Sequence, residues 1–195
     1  MSGCSTPTTF RVLDAETGNP IEGAVALATW SMGSGWPPGL SYGYTAKAIE
    51  AVSDRDGYFT IPGVTGKIAF NTPFLQVYKP GYVGWNSRRI YLGYYDADIK
   101  LARTKRRENF VMKDQDIFLE PWKNDGRYNY NSHGSFIGQP SGFEEGFEEG
   151  ENYESKYWKA KRYETPFSVA ERDQWDKEGR RKNRKWHKDW RMEEK

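Results

Sequence analysis

The residue types that do chemistry are few in this chain and poorly placed to cooperate. Two histidines, His133 and His187, and one cysteine, Cys4, occur among 195 residues. Two imidazoles cannot build a His-rich metal centre, and one thiol excludes a Cys-based zinc site and a disulfide within the monomer. A Ser-His-acid triad needs a nucleophile, a histidine and an orienting carboxylate brought together. His133 stands in Asn131-Ser132-His133-Gly134-Ser135, which reads as a loop, and neither histidine has a nucleophile-elbow context. Asp54-Arg55-Asp56-Gly57 resembles the start of a calcium loop but lacks the third acid and the distant bidentate Glu. With 27 acids in the chain, a carboxylate pair acting as acid and base is the catalytic arrangement left open, and no spacing selects a pair. The expectation is no catalytic residue, no metal and no cofactor, with a small hydrolase as the weakest alternative.

Aromatic residues are better supplied: 8 Trp, 13 Tyr and 10 Phe. Trp30, Trp36, Tyr42 and Tyr44 cluster in one stretch around Pro37 and Pro38. Rings of this kind stack on sugar faces or anchor a protein partner, because they bury large area at low entropic cost. Gly33, Gly35, Pro37, Pro38 and Gly39 are expected to keep the stretch out of the strand ladder, so that its rings form a ligand- or partner-facing end. The competing outcome is a lid that completes the core.

Two terminal features bear on address and partners. Ser2-Gly3-Cys4, followed by Ser5-Thr6-Pro7, resembles the end of a bacterial lipoprotein signal, with Met1 where that pattern has Leu and no apolar region upstream. This predicts a longer precursor whose Cys4 is acylated, and a lipid-anchored envelope protein on the periplasmic or outer-membrane surface. At the other end, Glu144–Glu154 carries six Glu and no basic residue, whereas Lys177–Met192 carries eight basic residues and two acidic. Trp175, Trp186 and Trp190 fall on one face of a helical pattern there and make a candidate partner-docking helix. Basic residues interleaved with Trp suggest nucleic acid, but the acidic run competes for them and an exported chain rarely meets nucleic acid, so no nucleic-acid partner is expected. Membrane contact is expected through the lipid anchor only, since no run approaches the ~20 apolar residues of a spanning helix.

These candidates need a scaffold, and the composition says where it lies. Residues 1–102 hold 8 basic and 8 acidic residues and most of the aliphatics; residues 103–195 hold 21 and 19 and few aliphatics. In the first half, runs near 10–14, 23–30, 44–53, 58–61, 67–70, 74–79, 88–92 and 98–102 have strand character. They are separated by Gly, Pro, Asn and Asp, with Asp54-Arg55-Asp56-Gly57 as a hairpin-type turn. Short strands at such spacing predict an antiparallel sandwich or barrel. Val12, Val25, Leu27, Phe59, Ile61, Leu75, Val77 and Leu101 are the expected inward residues. The predicted organisation is an N-terminal tether (1–6), a β-sandwich (7–102), an irregular wrapping segment (103–152) with one further strand at 115–120, and a charged, partly helical C-terminal region (153–195).

Three ordered segments carry a family resemblance. They are Val12-Leu13-Asp14-Ala15-Glu16-Thr17-Gly18-Asn19-Pro20-Ile21-Glu22-Gly23-Ala24-Val25, Ser53-Asp54-Arg55-Asp56-Gly57-Tyr58-Phe59-Thr60-Ile61, and Leu75-Gln76-Val77-Tyr78-Lys79-Pro80-Gly81-Tyr82. Together they resemble the carboxypeptidase regulatory-like domain of the transthyretin-like (prealbumin-like) superfamily, over about half of the chain. The resemblance implies a mainly β fold, an antiparallel Greek-key sandwich, and a non-catalytic accessory module of secreted and envelope proteins. The expected function is accordingly a non-enzymatic binding module at a bacterial cell envelope, acting through protein–protein contacts with an envelope partner. A carbohydrate-binding module using the 30–44 stretch on a polysaccharide is the alternative.

Overall fold

In the computed structural model the residues described are 3–34, 42–93, 103–106 and 109–123, with Tyr128, His133, Phe136, Ile137 and Ala170; at Ser34, Tyr42 and Gly43 the backbone alone is described. Period-two alternation produces the first strand, β1 (Thr8–Asp14), whose Phe10 and Val12 are buried while Thr9 and Arg11 face outward. Eight more follow: β2 (Val25–Ser34), β3 (Tyr42–Val52), β4 (Tyr58–Ile61), β5 (Phe74–Tyr78), β6 (Trp85–Asn86), β7 (Arg89–Tyr91), β8 (Arg103–Lys105) and β9 (Gln115–Leu119). They form a three-stranded sheet in the order β4-β1-β9, a four-stranded sheet in the order β3-β2-β5-β6, and a separate β7-β8 ribbon. Strand β4 returns beside β1 after the β2–β3 hairpin has been laid in the other sheet, which is the Greek-key step. The fold is thus a mainly β sandwich with antiparallel pairing, apart from β9, which runs parallel to β1 from Phe10↔Gln115 to Asp14↔Leu119.

Between the sheets lie Phe10, Val12, Phe59, Ile61, Leu75, Val77, Ile117 and Leu119, closed by Ala24, Ala26, Ala28 and Trp30. Phe10 and Phe59 stack with centroids 5.1 Å apart. Five of the expected inward residues, Val12, Phe59, Ile61, Leu75 and Val77, sit here. Val25 and Leu27 are buried too, but on the opposite face of β2, in a second cluster with Tyr78, Val83, Tyr91, Tyr128, Phe136, Ile137 and Ala170. Every residue from Ala24 to Trp30 is buried, so period two alone could not say which side faced the first sheet. Leu101 lies outside the described residues.

Three expectations change. Residues 67–70 form a 3-10 helix, not a strand: Gly66 turns the chain at φ 82°, and the consecutive Ile68 and Ala69 both pack on the core, which alternating strand residues cannot do. The 54–57 turn is no hairpin, because β3 and β4 belong to different sheets. It is a corner in which Asp54 Oδ1 accepts the Asp56 and Tyr58 N–H groups, both at 2.9 Å. Gly57 (φ 83°) passes so close to the Val12 carbonyl that a Cβ would collide with it. Finally, the sandwich does not stop at residue 102, since β9 supplies Ile117 and Leu119 to the core.

Candidate functional site

The described parts of the aromatic stretch, up to Ser34 and from Tyr42 on, are the paired ends of the β2–β3 hairpin. Gly33 lies inside the ladder opposite Gly43, and pairing continues to Ser34↔Tyr42, contrary to the expectation that glycine would exclude this stretch from the sheet. The register shifts between Trp30↔Lys47 and Ser31↔Thr45, leaving Ala46 as the extra residue of a bulge. Trp30 is 2% exposed and belongs to the core between the sheets, so it is no binding residue. It extends the row of Ala24, Ala26 and Ala28, which are buried in the same cluster. Tyr44 is 38% exposed, opposite Met32. Tyr42 holds its register position two residues away, and Trp36 lies outside the described residues.

A second surface is the outward face of the three-stranded sheet. Cross-strand register places Tyr58, Arg11 and Asp116 in one row, with Leu13 and Phe118 paired in the next. Tyr58 is 44% and Phe118 53% exposed. The Arg11 guanidinium lies 5.1 Å from the Tyr58 ring centroid, and its Nε donates to the Asp56 carbonyl at 3.2 Å. Thr9 and Thr60 hydroxyls meet at 3.0 Å one row further on. The face is open around Tyr58, Arg11, Asp116 and Phe118, with two rings, one cation, one carboxylate and the threonine hydroxyls, whereas Leu13 on the same side is buried. Sequence reasoning used Phe59 and Ile61 but not their outward neighbour Tyr58, although the same alternation exposes it. Phe118 was hidden by the apolar triplet Ile117-Phe118-Leu119, whose middle member must point the other way.

The corresponding face of the four-stranded sheet is covered. His133 is no loop histidine but a buried packing element. Its ring lies 4.9 Å from Trp122, 5.1 Å from Tyr91 and 6.1 Å from Tyr78, and Nε2 accepts the Gly84 N–H at 2.9 Å. Ile137 N donates to the His133 carbonyl (2.9 Å), and Ile137 packs where a Cβ at Gly84 would be. An imidazole whose Nε2 is committed to a backbone N–H inside a ring of aromatics holds the cover down and does not offer a base to substrate.

Charged groups elsewhere serve the turns. Asp14 Oδ1 accepts from Glu16 N (2.8 Å) and Thr17 N (2.9 Å), while Tyr82 OH donates to Oδ2 at 3.1 Å. The Thr17 N–H is the main reason that the Asp14 carboxyl is held below its ordinary range, with desolvation opposing and the Glu16 N–H assisting. Burial, then the Asp14 hydrogen bond, pushes Tyr82 up. Among the described residues no group of three or more His, Cys, Asp or Glu is arranged to hold a metal, and no described helix is long and apolar enough to cross a membrane.

Residues 3–5 do not hang free as a tether. Cys4 bridges Thr65, Ser5 N donates to Val64 O (2.9 Å), and Gly66 N donates to Gly3 O (2.9 Å), while the Cys4 thiol stays exposed. This contact explains Gly63, where a Cβ would collide with the Ser5 carbonyl. Topology puts Cys4, the start of β5 and the β2–β3 tip at one end of the sandwich, and the Asp14–Tyr82 turns at the other. Trp175, Trp186 and Trp190, the candidate docking helix, lie outside the described residues.

No family model matches the chain, and no curated protein does so either. Among solved structures it is similar to the C-terminal domain of the shaft pilin SpaA of Lactobacillus rhamnosus GG, at 21% identity and TM-score 0.28, over 63% of this chain and 99% of that one. It is also similar to (S)-allantoin synthase, at 16% and 0.27, over 61% and 42%. A third similarity is to a 9R-lipoxygenase of Cyanothece PCC8801, at 18% and 0.26, over 62% and 17%. Scores this low carry no functional argument.

Proposed function

We propose that this chain is a non-enzymatic binding module of the carboxypeptidase regulatory-like type, working at a bacterial cell envelope through contacts with a partner protein. The observation that carries the reading is the open part of the outward face of the β4-β1-β9 sheet, where Tyr58 and Phe118 are exposed near Arg11. Large exposed rings on an otherwise well-packed sandwich mark contact surfaces, and Tyr and Arg are typical anchors of such contacts. The family part of the reading is supported by the meeting of all three motif segments at one end: Asp14 accepts from Tyr82, and Val12 N donates to Gly57 O at 2.8 Å. An envelope address through acylation of Cys4 is supported by its exposed thiol.

The test is cross-linking in intact cells. A photo-reactive residue at Tyr58 or Phe118 is expected to capture a discrete envelope protein, and Tyr58→Ala/Phe118→Ala is expected to abolish capture by a probe at Thr60 while lowering the melting temperature by no more than a few degrees. Capture unaffected by the double substitution, or moved to a probe at Tyr44, would transfer the role to the hairpin tip. Fatty-acid labelling of the native precursor with and without Cys4→Ser tests the address separately, and equal labelling removes it.

A further inference from the structure

The β7–β8 ribbon lies outside both sheets, and its two sides differ in charge. Its register is Arg89↔Lys105, Ile90↔Thr104 and Tyr91↔Arg103. Residues directly opposite each other share a side, as do residues two apart along a strand. Arg89, Lys105, Tyr91 and Arg103 therefore stand on one side, and Ile90 and Thr104 on the other. On the first side Tyr91 is buried, whereas Arg89, Arg103 and Lys105 are exposed and take part in no ion pair among the described residues. Successive pairs on one side of a ladder lie roughly 7 Å apart, so the three charges make one small patch. Like charges directly opposite each other destabilise an antiparallel pair, and Arg89 faces Lys105. From 88 to 106 the chain has six basic residues and two acidic, too few acids to neutralise the segment.

Tyr91 shows what the cationic side lies against. Its ring centroid is 5.1 Å from that of His133, 5.4 Å from Phe136 and 6.1 Å from Tyr128, so the residues that cover the four-stranded sheet meet the ribbon on this side. Ile137 and Ala170 belong to the same buried cluster. The stretch 138–169 thus has both of its ends beside Tyr91. Within it stands the acidic run, 144–154, with six Glu and no basic residue. Glu144 follows Ile137 by seven residues, a reach of up to about 25 Å, which spans the neighbouring cations. A run tethered at both ends beside a patch of opposite charge meets it at high effective concentration, so no separate partner has to supply the anions.

We propose that the cationic side of the β7–β8 ribbon is the docking site of the chain's own acidic run, residues 144–154, whose carboxylates meet Arg89, Arg103 and Lys105. The contact relieves the repulsion between Arg89 and Lys105 and keeps the acidic run on the side of the four-stranded sheet. It is electrostatic, so salt weakens it. It is independent of any lipid on Cys4 and of the partner-binding face.

The experiment uses the full chain and a carbodiimide, which condenses a carboxylate with an amine in contact with it. Peptide mapping is expected to join Lys105 to a Glu of 144–154, and mixing light and heavy isotope-labelled protein should show the link to lie within one molecule. Salt at about 1 M, where the screening length is about 3 Å, should remove most of the product. Arg89→Gln/Arg103→Gln leaves the reporting amine in place and is expected to lower the yield several-fold, whereas Arg55→Gln/Lys67→Gln should not change it. Binding of inorganic polyphosphate is the second measurement. Glu144→Gln, with the same change at the other five Glu of 144–154, should vacate the patch and raise polyphosphate affinity several-fold. Adding Arg89→Gln/Arg103→Gln/Lys105→Gln should cancel that gain, whereas adding Arg55→Gln/Lys67→Gln/Lys113→Gln should leave most of it. Melting temperatures report whether each variant is folded. Absence of a Lys105 link, links from the acidic run to lysines of 177–192 in its place, or links between molecules only would each overturn the proposal. So would a polyphosphate gain that survives neutralisation of the ribbon.

Discussion

The two sheets treat their outward faces differently. On the four-stranded sheet, Val25, Leu27 and Tyr78 point away from the sandwich interior and are nevertheless buried, under Tyr91, Tyr128, Phe136, Ile137 and Ala170. On the three-stranded sheet the outward residues are Thr9, Arg11, Leu13, Tyr58, Thr60 and Phe118; Leu13 alone among them is buried, and no comparable aromatic layer lies over the rest among the described residues. One face is a second core, and the other is a surface carrying rings. The contrast separates two uses of aromatic side chains within one domain: clustered and hydrogen-bonded where they hold structure, spread among polar residues where they are available for contact.

If the covered face is a true core, Leu27→Ala should cost about 2–5 kcal/mol, as Leu75→Ala should in the interior between the sheets. Denaturant unfolding measures both. A cost for Leu27→Ala well below that of Leu75→Ala would reduce the cover to a loose drape. The next effect concerns the histidine that fastens it. His133→Ala leaves the buried Gly84 N–H without its acceptor, a loss of about 1–3 kcal/mol. Amide exchange at Gly84 should accelerate in this variant, while exchange at Phe10, between the sheets, stays slow.

A smaller effect is expected from Asp14→Asn, about 1 kcal/mol near neutral pH, from the weakened hydrogen bonds to Glu16 N and Thr17 N. The folded protein holds the Asp14 carboxyl below its ordinary range. Its contribution is therefore complete above the unfolded-state value of about 3.9 and is lost as pH falls through the lower folded-state value. The stability gap between wild type and Asp14→Asn should close over that acid interval, and a gap independent of pH would show that the charge contributes nothing. The smallest effect belongs to the bare face, where Tyr58→Ala/Phe118→Ala should change stability by no more than about 0.5 kcal/mol per substitution. A loss comparable to that of Leu27→Ala would mean that this face, too, is a core.

Period two made the strands legible wherever one side of a strand is wet. Phe10 and Val12 against Thr9 and Arg11, or Phe59 and Ile61 against Tyr58 and Thr60, are ordered by one core and one solvent face. The rule loses its information in β2, where both sides are dry and alternating Ala with Val, Leu and Thr gives no inside. It misled at 67–70, where a single helical turn has too few residues to display its own period. Trp30 looked like part of an exposed aromatic group because its neighbours along the chain are aromatic, whereas its row on the sheet is Ala24, Ala26 and Ala28. The family-resemblance segments were more informative: Asp14, Gly57 and Tyr82 come from three separate segments, and they converge because each closes the same end of the sandwich. His133 was unreadable, since its partners Gly84, Tyr91 and Trp122 come from segments with no shared period.

The parallel pairing of β9 with β1 also sets the order in which the molecule can be completed. Thr9 and Asp114, joined by a 2.8 Å hydrogen bond, are 105 residues apart, so β1 cannot complete its pairing until that much more chain has been made. The β2–β3 hairpin can close locally within a few tens of residues, but β1 keeps an open hydrogen-bonding edge until Gln115–Leu119 arrives. A nascent chain of this topology keeps that edge open until Gln115–Leu119 has been made. A chain cut short before Ile117 would display to its neighbours the strand edge that the finished protein conceals.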